Sequence, residues 1–333
     1  MGRADRAALS RIRLGDAMTR RLAAILAATT ILGAGAKAQA VEIQIDGPIG
    51  PLSGELIDLP NAQDVVVIIP GSGPIDRDGN GPAIGMHSDL YRQLAEGLAL
   101  EGIASIRIDK RGMFGSQDAI VDPNDIIVAN YALDMRDWVA RAGHVAPCVW
   151  LAGHSEGGLV ALLAAQDPPE ALCGVILLAT PGRPVGQLMI AQLERNPMTA
   201  SAIDDIRAIV ARLEQGESPE YDEIPATLRP LFPGHLHRYM SDLFAHDPAR
   251  IAGDWPGPAL IVQGDHDVQV GPEDAELLAQ ALPQAEHHLI EGATHMLKQD
   301  VPGQPFVTYS NPELPLHPGI LPVMVRFIHD NHR

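Results

Sequence analysis

Short unbroken runs of apolar residues recur along the chain, and segments of helical periodicity separate them. The clearest runs are VVVII within 64–70, CVWLAG at 148–153 and GVILLAT at 174–180. An unbroken apolar run suits a strand that is buried on both faces of a sheet. Because strands that alternate with helices build a parallel sheet, the pattern predicts an α/β fold with a mostly parallel central sheet and helices on both faces.

Weaker patterns complete this alternation on both sides of the central runs. An opening antiparallel pair of strands is predicted at 41–45 and 54–59, and further strands at 103–109, 258–264 and 286–292. Residues with apolar side chains at helical spacing predict the helices between them. These helices are expected near 88–100, near 124–142, from 155 onward, near 272–281 and near 319–330.

Residues 183–252 interrupt the alternation because they contain no strand-like run. Ile206, Ile209 and Leu213 fit one face of an amphipathic helix, and several prolines punctuate the remainder. We expect an inserted helical cap that walls a pocket over the strand ends; a surface insertion without a role is the alternative. The predicted organisation is an N-terminal extension with a signal peptide at 1–40, a core at 41–182 and 253–333, and the cap at 183–252.

The N-terminal region has the layout of a secretory signal peptide. Arg20 and Arg21 precede a short apolar run from Leu22 to Gly33, and Ala38-Gln39-Ala40 forms a small-residue cleavage signal. The run is shorter than the roughly 20 residues that a bilayer span needs. We therefore expect cleavage near Ala40 and a periplasmic or secreted protein. An uncleaved N-terminal helix or membrane anchor is the alternative.

Charge and cysteine usage exclude several classes of partner and site. The formal net charge is -18, which disfavours binding to nucleic acid or to anionic membranes. No later segment is long and apolar enough to predict a stable membrane span. Cys148 and Cys173 are the two cysteines, and their spacing fits no metal site. They could pair in an oxidising compartment if their strands are neighbours, or they could be two buried thiols.

The residues Gly153-His154-Ser155-Glu156-Gly157 join a predicted strand to a predicted helix. This is the G-x-S-x-G pattern in the strand–turn–helix context that lifts a serine hydroxyl above a sheet. The glycines are required because the turn is too sharp for a neighbouring side chain. Ser155 is therefore the candidate nucleophile.

A serine hydroxyl needs a base, and the base needs a carboxylate that orients it. In this arrangement an acid and then a histidine follow the serine along the chain. His295 follows the strand at 286–291, and Asp267 follows the strand at 258–264. We predict His295 as the base and Asp267 as its orienting acid. Asp265 is the rival acid and is expected to fix the loop instead.

The tetrahedral intermediate of acyl transfer also needs two hydrogen-bond donors for its oxyanion. The backbone N–H of Glu156, directly after the nucleophile, is one candidate. The loop after the strand at 64–70 should supply the other, and we choose the N–H of Ser72, with Gly73 as the second choice. No metal or organic cofactor is predicted.

Two further polar groups have a structural interpretation. Asp76, Arg77, Asp78 and Asn80 lie beside the predicted oxyanion loop and are interpreted as a hydrogen-bonded brace, although they could bind substrate. Asp109 and Arg111 are interpreted as a structural ion pair and not as catalytic residues.

With these motifs the sequence resembles the α/β-hydrolases over about residues 41–332. It resembles in particular the branch of serine aminopeptidases and monoacylglycerol lipases. PGSG at 70–73 is similar to the family's oxyanion loop, and DKRGMFGS at 109–116 is similar to its D-x-R-G-x-G-x-S motif, with Phe114 in place of the second glycine. The stretches at 70–80 and 264–270 resemble a group of exported esterase-like bacterial hydrolases. The resemblance implies the α/β-hydrolase fold.

The resemblance also implies a triad of Ser155, Asp267 and His295. The leading hypothesis is a hydrolase that cleaves small-molecule carboxylic esters through an acyl-enzyme. The first alternative is a peptidase that releases N-terminal residues, in which acidic cap side chains would hold the substrate amine. The second is a non-catalytic ligand-binding protein. The sequence does not indicate an oligomeric state. The acidic cap residues that could hold the substrate amine in the peptidase alternative are Glu214, Glu217, Glu220, Asp222 and Glu223.

Overall fold

A computed structural model describes residues 40–332 of the chain, and the predicted signal peptide lies almost wholly outside this range. The described part contains ten strands, eight of which form one sheet. The other two, β4 and β5, form a short hairpin. In chain order the strands are β1 (Ala40–Ile45), β2 (Leu52–Ile57), β3 (Asp64–Ile69), β4 (Asn80–Gly81), β5 (Met86–His87), β6 (Ala104–Ile108), β7 (Cys148–His154), β8 (Leu172–Leu178), β9 (Ala259–Gly264) and β10 (Glu286–Ile290).

The large sheet has the order β1-β2-β6-β3-β7-β8-β9-β10. Strand β2 pairs antiparallel with both β1 and β6, whereas every pair from β6 to β10 is parallel. The central strands β3, β7 and β8 are buried along their whole length, as their unbroken apolar runs predict. The predicted α/β-hydrolase fold is confirmed.

The described residues form ten α-helices, several of which pack on the two faces of the sheet. The helices that follow β5 and β10 pack on one face, and those that follow β6, β7 and β9 pack on the other. Short 3-10 turns occupy several of the loops. The helices are α1 (Leu90–Leu100), α2 (Val128–Ala142), α3 (Glu156–Ala164), α4 (Val185–Arg195), α5 (Ile203–Glu214), α6 (His237–Phe244), α7 (Pro248–Ala252), α8 (Pro272–Ala281), α9 (Val307–Ser310) and α10 (Ile320–Asn331).

Four of these helices, α4 to α7, lie between the sheet strands β8 and β9. Their apolar residues, such as Ile206, Val210 and Phe244, pack into the same core as the helices α2 and α3. The insertion is therefore helical and shares a buried core with the helices α2 and α3. The exact bounds of 183–252 remain a prediction.

The parallel strands bring five loops to one edge of the sheet. Because β3, β6, β7, β9 and β10 point the same way, their carboxyl ends meet at that edge, where ligands bind in open α/β sheets. The loops after these strands carry Ser72, Lys110, Ser155, Asp267 and His295, respectively.

A disulfide joins Cys148 at the start of β7 to Cys173 in the neighbouring strand β8. Their Cα atoms are 5.5 Å apart, and the two residues are 25 positions apart in the sequence. On the chain-entropy account, a closed loop of this size stabilises the folded chain by about 3 kcal/mol. Of the two possibilities that the sequence left open, the structure has the pairing.

No helix within residues 40–332 combines the length and the apolar character that a membrane crossing requires.

Candidate active site

The turn at Ser155 holds the serine in a backbone conformation that few side chains adopt. Its φ is 53° and its ψ is -124°, a region that costs on the order of 1–3 kcal/mol. A Cβ at Gly153 would overlap the carbonyl oxygen of Gly157, and a Cβ at Gly157 would overlap that of Ile69. Both glycines of the motif are therefore required by backbone packing, and Ser155 stands half-buried at the N-terminus of α3.

His295 and Asp267 meet at the same edge of the sheet. The Nδ1 atom of His295 lies 2.8 Å from Oδ2 of Asp267, and both side chains are almost fully buried. With the carboxylate ionised, Nδ1 carries the hydrogen and donates it to Asp267. The Nε2 atom of a neutral His295 ring is then free to accept a proton.

The carboxylate of Asp267 is fixed by several donors. Burial alone would raise the pKa of Asp267, but the charge and hydrogen bond of His295 and two backbone donors lower it below its ordinary value. Those backbone N–H groups belong to Gln269 and Val270, at 2.7 and 2.9 Å from Oδ1. Asp265 instead accepts a hydrogen bond from the backbone N–H of Gly292 at 2.6 Å, a contact that braces the loop.

The loop after β3 passes directly beside the serine. A Cβ at Gly71 would lie only 3.2 Å from Cβ of Ser155, and the following residue, Ser72, lines the same cavities as Ser155. The two predicted donor residues Ser72 and Glu156 are joined through their side chains, because the Ser72 hydroxyl donates to Oε2 of Glu156 at 2.7 Å. Gly73, the second choice, has a positive φ of 82°.

His154 connects this loop to the His295 loop, a role that the motif did not indicate. The Gly71 N–H donates to the Tyr91 hydroxyl at 2.9 Å, and this hydroxyl lies 3.0 Å from Nδ1 of His154. The Nε2 atom of His154 lies 2.8 Å from the carbonyl oxygen of His295. Because a carbonyl only accepts, Nε2–H donates there and Nδ1 accepts from Tyr91. Burial, and then the nearby His295, lowers the pKa of His154 to about 3.

A buried polar cluster surrounds the side chain of Glu156. Oε1 of Glu156 accepts a hydrogen bond from the Tyr239 hydroxyl of helix α6 at 2.6 Å and lies 3.5 Å from Nζ of Lys110. Both Glu156 and Lys110 are 2% exposed. Burial lowers the pKa of Lys110 and raises that of Tyr239. Lys110 is one of three lysines in the chain, but nothing in the sequence pattern placed it beside Glu156 and Tyr239.

Ser155 lies between two cavities. The larger, about 550 Å³, extends under the inserted helices and is lined mainly by apolar side chains, among them Leu188, Met240 and Phe244. The smaller, about 200 Å³, contains both Ser155 and His295 in its wall. Ser155 and Ser72 line both cavities, whereas Glu156 lines the larger one.

The neighbouring charged residues have structural partners, with one correction. Asp76 accepts hydrogen bonds from the backbone N–H groups of Asp78 and Asn80, as expected of a brace. The expected ion pair between Asp109 and Arg111 is wrong. Asp109 binds Arg77 and Arg111 binds Asp134, because the sharp turn after β6 points the two side chains to different neighbours.

Within residues 40–332, no group of three or more His, Cys, Asp or Glu side chains is placed to hold a metal ion.

Comparison with known proteins assigns the family. The family model described as serine aminopeptidase, S33, matches residues 82–302. The chain belongs to this family. The match includes the Ser155 turn and the loops of Asp267 and His295. It leaves out the loop at Ser72.

A relative with a named activity is esterase EstD from Thermotoga maritima. It is 29% identical over 214 residues, which are 64% of this chain and 48% of that protein. The chain thus spans about half the length of the curated relative that it matches. This α/β-hydrolase thus belongs to the serine aminopeptidase family, and an esterase is among the relatives of the chain.

Solved structures of several esterases share the fold. The Pyrococcus furiosus esterase Pf2001 has a TM-score of 0.54 and 16% identity, and the match covers 89% of this chain and 92% of that one. A malate-bound esterase from Thermogutta terrifontis has a TM-score of 0.54 and 20% identity, over 89% and 100% of the two chains. Est1E from Butyrivibrio proteoclasticus has a TM-score of 0.53 and 19% identity, over 86% and 99%. At these identities the likeness concerns the fold.

The low pKa of His154 predicts a specific dependence of stability on pH. Unfolded histidine takes up a proton near its ordinary pKa of 6.5, whereas folded His154 resists protonation down to about 3. Its contribution to stability is therefore complete above pH 6.5 and is lost as the pH falls from 6.5 towards 3. Between pH 7 and pH 5, the free energy of unfolding of the wild-type protein should fall by about 2 kcal/mol more than that of His154→Gln.

Urea denaturation at the two pH values measures this difference. Glutamine suits this test because its amide can still accept a hydrogen bond from Tyr91 and donate one to the His295 carbonyl. The same change at the exposed His329 is the matched control. Equal losses for the wild type and His154→Gln would contradict the assignment of a neutral buried ring.

Proposed function

We propose that this chain is a serine hydrolase that cleaves carboxylic esters through an acyl-enzyme. Ser155 Oγ attacks the acyl carbon while His295 Nε2 takes the hydroxyl proton, and His295 then returns that proton to the leaving alcohol. Asp267 holds the ring in the required tautomer. Water repeats the attack on the acyl-enzyme and releases the acid. The observation that carries the proposal is the 2.8 Å bond between Asp267 and His295 beside a strained Ser155.

The backbone N–H groups of Ser72 and Glu156 are the proposed oxyanion donors. Glu156 follows Ser155 directly in the chain, and Ser72 follows Gly71, whose backbone lies close to Ser155. Donors of this kind favour the tetrahedral intermediate because they are fixed before the negative charge develops on the substrate oxygen. Removing one such donor typically lowers kcat by about 10²–10³.

The cavities favour esters over peptides with a free N-terminus. An aminopeptidase needs a carboxylate that holds the substrate amine. Of the residues that line the two cavities, all of them in the described part of the chain, Glu156 alone carries a carboxylate, and Ser72, Tyr239 and Lys110 already contact it. The acidic cap residues Glu217 and Glu223 pair with Arg212 at the surface.

The larger cavity supports an apolar acyl group as the substrate's main recognition element. Its volume lies within the usual range for small-molecule sites, and its mainly apolar lining is also typical of them. We therefore propose that small-molecule esters with a hydrophobic acyl chain are hydrolysed. A non-catalytic binding protein would need neither the strained Ser155 nor the oriented His295.

Substitutions at the proposed triad should lower ester turnover in a fixed order. Ser155→Ala removes the attacking atom and should abolish the acyl-enzyme route, and His295→Ala should be nearly as severe because the hydroxyl loses its base. Asp267→Asn keeps the base but disturbs its tautomer, a change worth about 10⁴ in the worked serine-protease case. Asp265→Asn should cost far less because Asp265 only braces a loop. Turnover of a short acyl ester, with circular dichroism as the folding control, measures the series.

Two outcomes would refute parts of this assignment. If Asp265→Asn loses most of its activity while Asp267→Asn keeps it, the orienting acid is misassigned. If Ser155→Ala keeps substantial activity, Ser155 is not the nucleophile. In the same assay, wild-type hydrolysis of an aminoacyl anilide without hydrolysis of short acyl esters would favour the aminopeptidase alternative.

We also propose that the protein is exported and that cleavage near Ala40 leaves Val41 at its N-terminus. The disulfide between Cys148 and Cys173 supports this proposal, because such bonds persist in oxidising compartments. Protein collected from the periplasm or the medium should begin at Val41 in intact-mass measurement and should show no free thiol when unfolded without reductant. Retained residues 22–40, or two titratable thiols, would refute the proposal.

A further inference from the structure

Lys110 is a buried lysine whose shortest polar contact is with a backbone carbonyl. It follows strand β6, and its side chain is 1% exposed. Its Nζ donates to the carbonyl oxygen of Gly71 at 2.6 Å, whereas Oε1 of Glu156 is 3.5 Å away. The face of the Tyr131 ring lies 5.2 Å from the same Nζ. The Gly71 carbonyl is therefore the primary partner of the ammonium.

This contact fixes the direction of the next N–H group. In a trans peptide the C=O of one residue and the N–H of the next point in opposite directions. Because Lys110 holds the Gly71 carbonyl on its own side, the Ser72 N–H of the same peptide plane points away from Lys110. The other side of Gly71 is held as well, since its N–H donates to Tyr91.

A glycine at this position makes such an anchor necessary. Gly71 has no side chain because a Cβ would approach Ser155 and the His154 carbonyl at 3.2–3.3 Å. A residue without a Cβ has a wide choice of backbone angles, so rotation of the Gly71–Ser72 peptide meets little intrinsic resistance. The ammonium of Lys110 and the hydroxyl of Tyr91 supply that resistance from outside the loop.

We propose that Lys110 is a positioning residue for the oxyanion hole: it holds the Gly71 carbonyl so that the Ser72 N–H points at the ester oxygen. Lys110 itself does not touch the substrate's reacting atoms in this role. The inference rests on the proposed function of Ser155 and deepens it. It assigns a catalytic consequence to a charge that the triad mechanism does not use.

A second role for Lys110 predicts a different result, and the experiment must distinguish it from the orientation of the Gly71–Ser72 peptide. Lys110 could serve only to neutralise the buried carboxylate of Glu156. In that case removal of both charges together should restore activity, because no unpaired buried charge remains. If Lys110 orients the peptide, removal of the Glu156 charge cannot restore the missing contact with Gly71.

The test compares Lys110→Met, the double variant Lys110→Met/Glu156→Gln and the control Lys298→Met. Lys298 is equally buried, and its Nζ donates to the carbonyl oxygen of Ser88 at 2.6 Å. Both lysines thus lose the same kind of bond, but only Lys110 holds the oxyanion loop. Kinetics on a short acyl ester are measured together with thermal unfolding and with inhibition by a trifluoromethyl ketone, which forms a tetrahedral adduct with serine.

We expect kcat to fall by about 10²–10³ in Lys110→Met, the typical cost of one oxyanion donor, with KM changed only a few-fold. Inhibition by the ketone should weaken by the same factor as kcat/KM, because both report binding of the tetrahedral state. The double variant should stay equally impaired. Lys298→Met should unfold at a lower temperature but keep its kcat within a few-fold.

Several results would overturn the proposal. These are an unchanged kcat in Lys110→Met, recovery in the double variant, an effect confined to KM, or an equal loss of kcat in Lys298→Met. If Lys110→Met does not fold because Glu156 is left unpaired, the kcat and ketone inhibition of the double variant distinguish the two roles instead. A wild-type protein that hydrolyses no ester would refute the proposed function, and this proposal with it, whereas an active wild type with an active Lys110→Met refutes this proposal alone.

Discussion

The backbone at Ser155 lies so close to its surroundings that two positions cannot carry a side chain. Gly157 packs against the Ile69 carbonyl of the neighbouring strand, and Gly153 packs against the carbonyl of Gly157. These contacts hold the end of β7 and the start of α3 against the end of β3, and Ser155 between them has a strained conformation. The remaining elements of the site depend on this fixed point, because each of them is positioned by a parallel strand that ends at the same edge.

Two hydrogen-bond networks extend from this point in opposite directions. One runs from Gly71 through Tyr91 and His154 to the backbone of His295. The other joins the loop residue Ser72 to Glu156, and Glu156 to Tyr239 of the inserted helices. The loop after β3 is thereby tied both to the base and to the cap. The bonds of the first network are buried, and those of the second are partly buried because Ser72 is exposed. A buried bond is worth more than one at the surface and is costly to leave unmade.

Much of this arrangement could be predicted from the sequence, because it depends on local patterns. Helix α8 begins and ends at the predicted residues 272 and 281, since Pro272 favours a first helical position. The predicted helix from 124 begins only at Val128, because Ile127 is extended. Ser155, Asp267 and His295 could be chosen because strand ends and chain order restrict the candidates.

The buried partners of the site could not be predicted in the same way. Lys110, Tyr91 and Tyr239 reach it from three separate elements, and only the folded sheet brings them together. Asp109 and Arg111 illustrate the same limit, since neighbours in sequence bind different partners across the sheet. Phe114 adopts a φ of 45° at the position where the resembling motif has a glycine. A sequence motif specifies the type of turn, whereas long-range packing decides which side chains meet.

The central claim is that Ser155 is an activated nucleophile, and covalent labelling tests it most directly. A fluorophosphonate should react with the Ser155 Oγ, with loss of fluoride, and add one phosphonyl group per chain in intact-mass measurement. Peptide mapping should place that group on Ser155, and Ser155→Ala should remain unlabelled under the same conditions. An unlabelled wild-type protein, or a label on another residue that persists in Ser155→Ala, would contradict the account.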